Sequence, residues 1–152
     1  MSVRTWFDEF CPEIEDPKNM SDEDAVQHAL KKYTGLLSEN LQKHKVTFNP
    51  ISTKILLIEE GEEVYWENHG RSIIGVLTCS LCLKYDVHCE KCPLQLTKIE
   101  YGCLHGLYGV GEKSPYSKTL RTKNPLPMIE ALTETLEFVR GRGHDEKEKG
   151  GN

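Results

Sequence analysis

Apolar residues recur at helical spacing in the N-terminal part of the chain. The stretch follows Ser21, a residue type that caps helix N-termini well, and begins with acids that favour the positive end of a helix dipole. The stripe consists of Ala25, Val26, Ala29, Leu30 and Tyr33. We expect Gly35 to end this helix and a second, shorter helix to cover roughly Leu36 to His44.

The C-terminal part shows the same spacing again. Asn124-Pro125 opens this segment, and proline is tolerated in the first turn of a helix. The apolar stripe consists of Met128, Ile129, Leu132, Leu136 and Val139. We expect Gly141 and Gly143 to stop the helix.

Between these helices the pattern changes to short apolar runs that are typical of strands. Lys54–Glu59 is predicted to be a buried strand, Val64–Trp66 its partner and Ser72–Leu77 a third strand, with turns after the first two. The chain is therefore predicted to be α+β: N-terminal helices, a small antiparallel sheet, an irregular loop region and a C-terminal helix.

The two ends of the chain are polar. Pro12 and Pro17 interrupt residues 1–20, where acids outnumber the apolar residues, so we expect a weakly structured acidic arm. Its aromatic residues Trp6, Phe7 and Phe10 are expected to pack on the domain or on a partner. We divide the chain into this arm, a single α+β domain over residues 21–143, and a charged, disordered tail over residues 144–152.

Four cysteines fall within fourteen residues, as two Cys-x-x-Cys pairs six residues apart. A Cys-x-x-Cys turn supplies two thiolates from one side of an ion, and two such turns complete the tetrahedral shell that Zn²⁺ prefers. The predicted ligands of a structural zinc ion are therefore Cys79, Cys82, Cys89 and Cys92.

Other readings of the cysteines stay open. Cys103 and His105 are reserve ligands, and Cys103 could replace a member of the second pair. An iron–sulfur cluster is a less favoured cofactor because the spacing does not match ferredoxin-type runs. Cys11, far away in the acidic arm, is predicted to be an incidental free thiol.

Residues 93–124 are rich in glycine and without clear periodicity, so we expect an irregular segment that the metal orders. Basic and aromatic residues near its end could contact phosphates and stack on bases. This candidate binding surface consists of Lys113, Tyr116, Lys118, Arg121 and Lys123. A solvated face is the simpler interpretation of the same residues.

Charge and hydropathy argue against some classes of protein. The net charge of −5 argues against a bulk DNA-binding protein, and no apolar run is long enough to span a membrane. The first residues carry acids where a signal peptide would be apolar, so we expect a cytoplasmic protein. Reducing conditions there favour metal binding over disulfides.

The stretch from Cys79 to Tyr116 resembles a group of small uncharacterised phage and prophage proteins. They carry Cys-x-x-Cys, a spacer, Cys-x-x-Cys-Pro, a further Cys and a Ser/Thr-Pro-Tyr. The matching residues here are Cys79-Ser-Leu-Cys82, Cys89-Glu-Lys-Cys92-Pro93, Cys103 and Ser114-Pro115-Tyr116. The resemblance implies a metal-binding accessory protein of a phage that acts inside a bacterium, and it strengthens Cys103 as a ligand.

Binding is favoured over catalysis, because four thiolates leave no open position on zinc for water. We expect a zinc-stabilised phage accessory protein that binds a host or phage macromolecule, most simply a protein, and that counteracts host defence. The alternatives are a nucleic-acid-binding zinc module using residues 113–123 and a metal-dependent, nuclease-like enzyme.

Overall fold

The computed structural model describes residues 2–73, 83–84 and 115–150. Within these residues helices pack around an antiparallel sheet of three strands, so the predicted α+β class is confirmed. The elements are α1 Val3–Phe10, α2 Asp22–Thr34, α3 Ser38–Lys43, β1 Val46–Phe48, β2 Leu56–Glu59, β3 Arg71–Ser72, α4 Pro115–Thr122 and α5 Leu126–Gly150.

Helix α1 corrects the expectation that residues 1–20 are weakly structured. Ser2 Oγ accepts the Thr5 N–H at 3.2 Å and Thr5 Oγ1 accepts the Ser2 N–H at 2.8 Å, which forms a capping box. The helix buries Trp6, Phe7 and Phe10, and the Trp6 indole N–H donates to the Gly35 carbonyl oxygen at 2.7 Å. A helix this short is not stable by itself. The capping box at its start and the packing of its aromatic side chains stabilise α1 together. The expectation that these aromatics pack on the domain is confirmed.

Helix α2 agrees with the sequence pattern. Ser21 Oγ accepts the Asp24 N–H at 3.0 Å, and Gly35 is the C-cap residue, as expected. The predicted stripe faces the core, with Ala25, Val26, Ala29 and Tyr33 buried. The shorter helix α3 follows and buries Leu41.

The observed sheet has an additional strand at its start and lacks the predicted middle strand. Strand β2 lies between β1 and β3, with Thr47 opposite Ile58 and Leu57 opposite Arg71. Strand β1 was not predicted, and the prediction of a strand at Val64–Trp66 is wrong. Both edges of β2 are already paired, so residues 64–66 have no edge on that strand to join. Strand β3 starts the predicted third strand, of which residues 74–77 lie outside the described residues.

The C-terminal region contains one more helix than expected. The prediction of an irregular segment over residues 93–124 is wrong for α4, where Pro115 suits a first helical turn and Thr119 is 0 % exposed. Lys123 ends α4 with a φ of 57°, and Asn124 Oδ1 accepts the Leu126 N–H at 3.1 Å at the start of α5.

Helix α5 buries the predicted stripe against α2 but continues past its expected end. Met128, Leu132, Leu136 and Val139 are buried, and Ile129 is partly buried. The helix runs through Gly141 and Gly143 to Gly150, so residues 144–150 are helical rather than a disordered tail. A glycine costs a helix about 1 kcal/mol relative to alanine, which weakens the helix without forbidding it. Across the described residues, we find no helix with both the length and the apolar character needed to cross a membrane.

Candidate functional site

The predicted metal ligands lie outside the described residues. These are Cys79, Cys82, Cys89 and Cys92, together with the reserve ligands Cys103 and His105. Within residues 2–73, 83–84 and 115–150, no group of three or more His, Cys, Asp or Glu side chains could hold a metal ion. Zinc binding by the four cysteines therefore stays a prediction from their spacing.

One described residue ties the cysteine-rich segment to the helical scaffold. Lys84 lies between the two cysteine pairs, and its Nζ donates to the Met20 carbonyl oxygen at 2.6 Å. The same atom lies 3.8 Å from a carboxylate oxygen of Asp22 in the first turn of α2. Lys84 is thus held at the start of α2.

Cys11 is half-buried and unpaired, and burial raises the pKa of its thiol. The interpretation of Cys11 as an incidental free thiol rather than a metal ligand stays a prediction from the sequence.

The predicted basic surface is only partly described. Lys113 lies outside the described residues, and Tyr116 lies in α4. Lys118 and Arg121 are exposed and lie one turn apart on α4, so they can face the same partner. Lys123 has another role, because its Nζ donates to the Asn49 carbonyl oxygen at 3.0 Å and so fixes the α4–α5 corner to the end of β1.

A chain of three polar side chains near α1 has the connectivity of a nucleophile, a base and an acid. His44 Nδ1 lies 2.9 Å from Thr5 Oγ1, and His44 Nε2 lies 2.7 Å from Glu9 Oε1. Thr5 Oγ1, however, also accepts the Ser2 N–H in the capping box, and the His44 residue is only 4 % exposed. A substrate would have to displace the helix cap to reach the hydroxyl, so we interpret this group as a structural link between α1 and α3.

The loop between β2 and β3 carries the largest exposed aromatic surface among the described residues. We call residues 60–70 the aromatic loop. Tyr65 is 69 % exposed and Trp66 is 58 % exposed, and their ring centroids are 6.4 Å apart. The His69 ring lies 5.1 Å from that of Trp66, so three rings follow one another along the surface. Nearby Ile51 is also exposed, at 54 %.

The side chain of Asn49, at the end of β1, hydrogen-bonds to the backbone of the aromatic loop. This residue is 0 % exposed, and its Nδ2 lies 3.3, 3.2 and 2.8 Å from the carbonyl oxygens of Trp66, Glu67 and His69. Its Oδ1 accepts the Ile51 N–H at 2.9 Å. One buried amide therefore fixes the backbone beneath both exposed apolar segments.

The loop is also pressed against the sheet where it rejoins β3. Gly70 has a φ of 118°, and a Cβ added there would lie 2.9 Å from the Leu57 carbonyl oxygen. The aromatic rings are thus displayed by a backbone that is fixed at its middle by Asn49 and at its end by close approach to β2.

The aromatic loop is strongly acidic. Its exposed glutamates are Glu60, Glu62, Glu63 and Glu67, and residues 60–70 contain no lysine or arginine. Glu62 Oε2 lies 3.1 Å from His69 Nε2, and the Tyr65 hydroxyl donates to Glu63, which raises the pKa of Tyr65. The first cation after the loop, Arg71, stacks on the Phe7 ring at 3.6 Å from its centroid.

The sequence interpretation missed this surface because it assigned Val64–Trp66 to a strand. The signal was present in the sequence: two large aromatics stand between glutamates on both sides, with no lysine or arginine among them. A paired strand with one buried face would alternate apolar and polar residues, whereas here the adjacent Tyr65 and Trp66 are both exposed.

Comparison with known proteins adds no relative. Neither the family models, nor the curated proteins, nor the solved structures contain a match to this chain. The functional argument therefore rests on the residues themselves.

Proposed function

We propose that this protein is a metal-stabilised binding protein that recognises a macromolecule, most simply another protein, through its aromatic loop. The observation that carries the proposal is the exposure of Tyr65 and Trp66 on a backbone held by the buried Asn49. The fold supplies the support, and the loop supplies the contact surface.

Tyr65 and Trp66 gain binding free energy when a partner covers them. Tyrosine and tryptophan dominate the binding energy of many interfaces because each buries a large apolar area with few rotatable bonds. Tyr65 and Trp66 still have more than half of their surface to bury. A loop that is fixed in advance also loses less conformational entropy when a partner docks.

The metal has a structural role in this proposal. Cys79, Cys82, Cys89 and Cys92 bind zinc and so order residues 79–123, which add to the recognition surface. Lys84, which lies between the two cysteine pairs, contacts the Met20 carbonyl oxygen, and this is compatible with a segment that folds against the helices. With four thiolate ligands the ion has no open position for water, which disfavours a metal-dependent enzyme.

The resemblance to phage proteins indicates where the protein acts. It supports action in the cytoplasm of an infected bacterium, where the partner is a host or phage macromolecule and its capture counteracts host defence. Nucleic acid is the alternative partner, and the exposed Lys118 and Arg121 favour it. The glutamates of the aromatic loop count against it there, because they repel phosphates.

Site-specific photo-crosslinking in bacterial cells tests the proposal. A photoreactive phenylalanine derivative is placed at position 65 in one variant and, as the control, at position 138 in another. Phe138 is a suitable control because it is 41 % exposed and lies on α5. We expect a discrete protein adduct from position 65 that is missing from position 138.

Two results would argue against a binding role for the aromatic loop. One is the absence of any adduct from position 65 while the protein is folded and abundant. The other is an identical set of adducts from both positions, which would mean that collisions alone explain the crosslinks.

A further inference from the structure

We infer that the aromatic loop binds an extended, lysine- or arginine-rich segment of a partner protein. This inference rests on the proposed function and specifies the chemistry of the partner. It follows from three properties of the loop: its charge, its exposed rings and the spacing of those rings.

The charge of the loop selects a cationic partner. Glu60, Glu62, Glu63 and Glu67 are all exposed within eight residues of one another, with no lysine or arginine among them. An incoming cation is attracted to these carboxylates and can form charge-assisted hydrogen bonds with them. Arg71, the first cation after the loop, stacks on the Phe7 ring.

The exposed rings offer a second attraction to the same kind of partner. The face of a tryptophan or tyrosine ring attracts a guanidinium or ammonium group within about 6 Å, and tryptophan does so best. Trp66 and Tyr65 are 58 % and 69 % exposed, so part of each ring remains available. Rings and carboxylates together bind both the charged head and the apolar stem of a long basic side chain.

The ring spacing indicates an extended conformation of the partner. The Tyr65 and Trp66 centroids are 6.4 Å apart and their planes differ by 32°. In an extended chain, side chains on one side recur every second residue, or about every 7 Å. Two basic residues at alternate positions would therefore reach the two rings at once.

A binding assay with purified protein tests the inference. The probes are two labelled eight-residue peptides of otherwise identical sequence, one with arginine and one with glutamate at alternate positions. Fluorescence anisotropy gives the dissociation constants. We expect saturable binding of the arginine peptide that weakens with salt, and no binding of the glutamate peptide.

Matched variants locate the binding site. Trp66→Ala and the double change Glu60→Gln with Glu67→Gln should each weaken arginine-peptide binding at least tenfold. The controls are Phe138→Ala and the double change Glu130→Gln with Glu137→Gln, which alter an exposed aromatic and two exposed glutamates on α5. These controls should change the dissociation constant less than twofold.

Tryptophan quenching provides an independent measurement on the unmodified protein. The chain contains two tryptophans, of which Trp6 is 0 % exposed and Trp66 is 58 % exposed. Acrylamide should therefore quench Trp66 selectively, and the arginine peptide should protect it.

Three outcomes overturn the inference. They are unchanged peptide affinity in Trp66→Ala, protection of Trp66 by single-stranded DNA or RNA instead, and protection of Trp66 at high protein concentration without peptide, which would make a second copy the occupant. If position 65 still crosslinks to a protein in cells while the arginine peptide fails to bind, the cationic partner is wrong and the binding function stands. If both fail, both are wrong.

Discussion

At the residue scale, Asn49 connects the end of β1 to two other parts of the molecule. Its side-chain amide reaches the carbonyl oxygens of the aromatic loop, and its own carbonyl oxygen accepts from Lys123 at the α4–α5 corner. Asparagine is suited to this position because its amide donates and accepts simultaneously.

Asn49→Ala tests this role. The change removes a donor from the partly buried carbonyl oxygens of residues 67 and 69 and leaves the Ile51 N–H without its side-chain acceptor, so we expect a loss of about 2–3 kcal/mol of unfolding free energy. Urea unfolding measures this loss, with the exposed Asn68→Ala as the control. Equal stability of the two variants would mean that water replaces the amide without penalty.

Glu9 supplies a pH-dependent prediction. Hydrogen bonds from Lys43 and His44 hold the pKa of Glu9 below its ordinary value of 4.5. A lowered folded-state pKa stabilises the fold fully above the unfolded-state pKa, and this stabilisation is lost as the pH falls through the folded-state pKa. Glu9→Gln should therefore be less stable than the parent at neutral pH, and the difference should vanish in strong acid. Thermal unfolding across pH measures this, with Glu130→Gln as an exposed control that should show no such trend.

At the element scale, the junction between α1 and α2 depends on the absence of a side chain at Gly35. Its φ of −62° and ψ of −17° suit any residue, so conformation alone does not require glycine there. The requirement is space, because an added Cβ would lie 2.5 Å from Phe10 Cγ and 2.8 Å from Trp6 Cζ2.

Replacing glycine by alanine at the C-cap of α2 and within α5 should have opposite effects. Gly35→Ala forces the α1 rings to move and should destabilise the protein by about 1–3 kcal/mol. Gly141→Ala in α5 has no atom within 4 Å of the new Cβ and should stabilise by about 0.5–1 kcal/mol. Chemical denaturation of both variants measures this, and stabilisation in both would show that α1 does not pack at Gly35 as described.

The elements also show which features the sequence predicts. The regular apolar spacing of α2 and α5 predicted both helices and their buried faces, because amphipathic periodicity is a local property. Helix α1 was missed although its local signal is present, because Ser2 precedes apolar residues at helical spacing, at positions 3, 6, 7 and 10. The prolines and acids of residues 1–20 outweighed that signal in the prediction. Residues 64–66 were assigned to a strand from their β-forming side chains, whereas β1 and β3 already occupy both edges of β2.

At the scale of the whole molecule, the scaffold described here and the cysteine-rich segment have different sources of order. Helix α2, helix α5 and the sheet bury one hydrophobic core. The cysteine-rich segment is predicted to depend on a zinc ion bound by Cys79, Cys82, Cys89 and Cys92. Cysteine spacing predicts a metal site, which stays a prediction because its ligands lie outside the described residues. The exposure of the rings in the aromatic loop, by contrast, became apparent only from the fold.

Removing two predicted zinc ligands should disorder the cysteine-rich segment and leave the helical core folded. Replacing Cys79 and Cys82 by serine should abolish zinc binding and make residues 79–123 sensitive to protease, while the far-ultraviolet circular dichroism of the helices persists in large part. Cys11→Ser is the matched control and should retain one zinc ion per chain. Retained zinc in the double variant would show that these two thiols are not ligands.

The central claim is that a zinc-binding protein recognises a protein partner through Trp66. Native mass spectrometry of the protein captured gently from bacterial lysate, without added metal, tests this claim most directly. The account predicts one chain with one zinc ion and one additional polypeptide, and the same chain and zinc without that polypeptide for Trp66→Ala. A metal-free folded chain, or the same polypeptide on both variants, would contradict it.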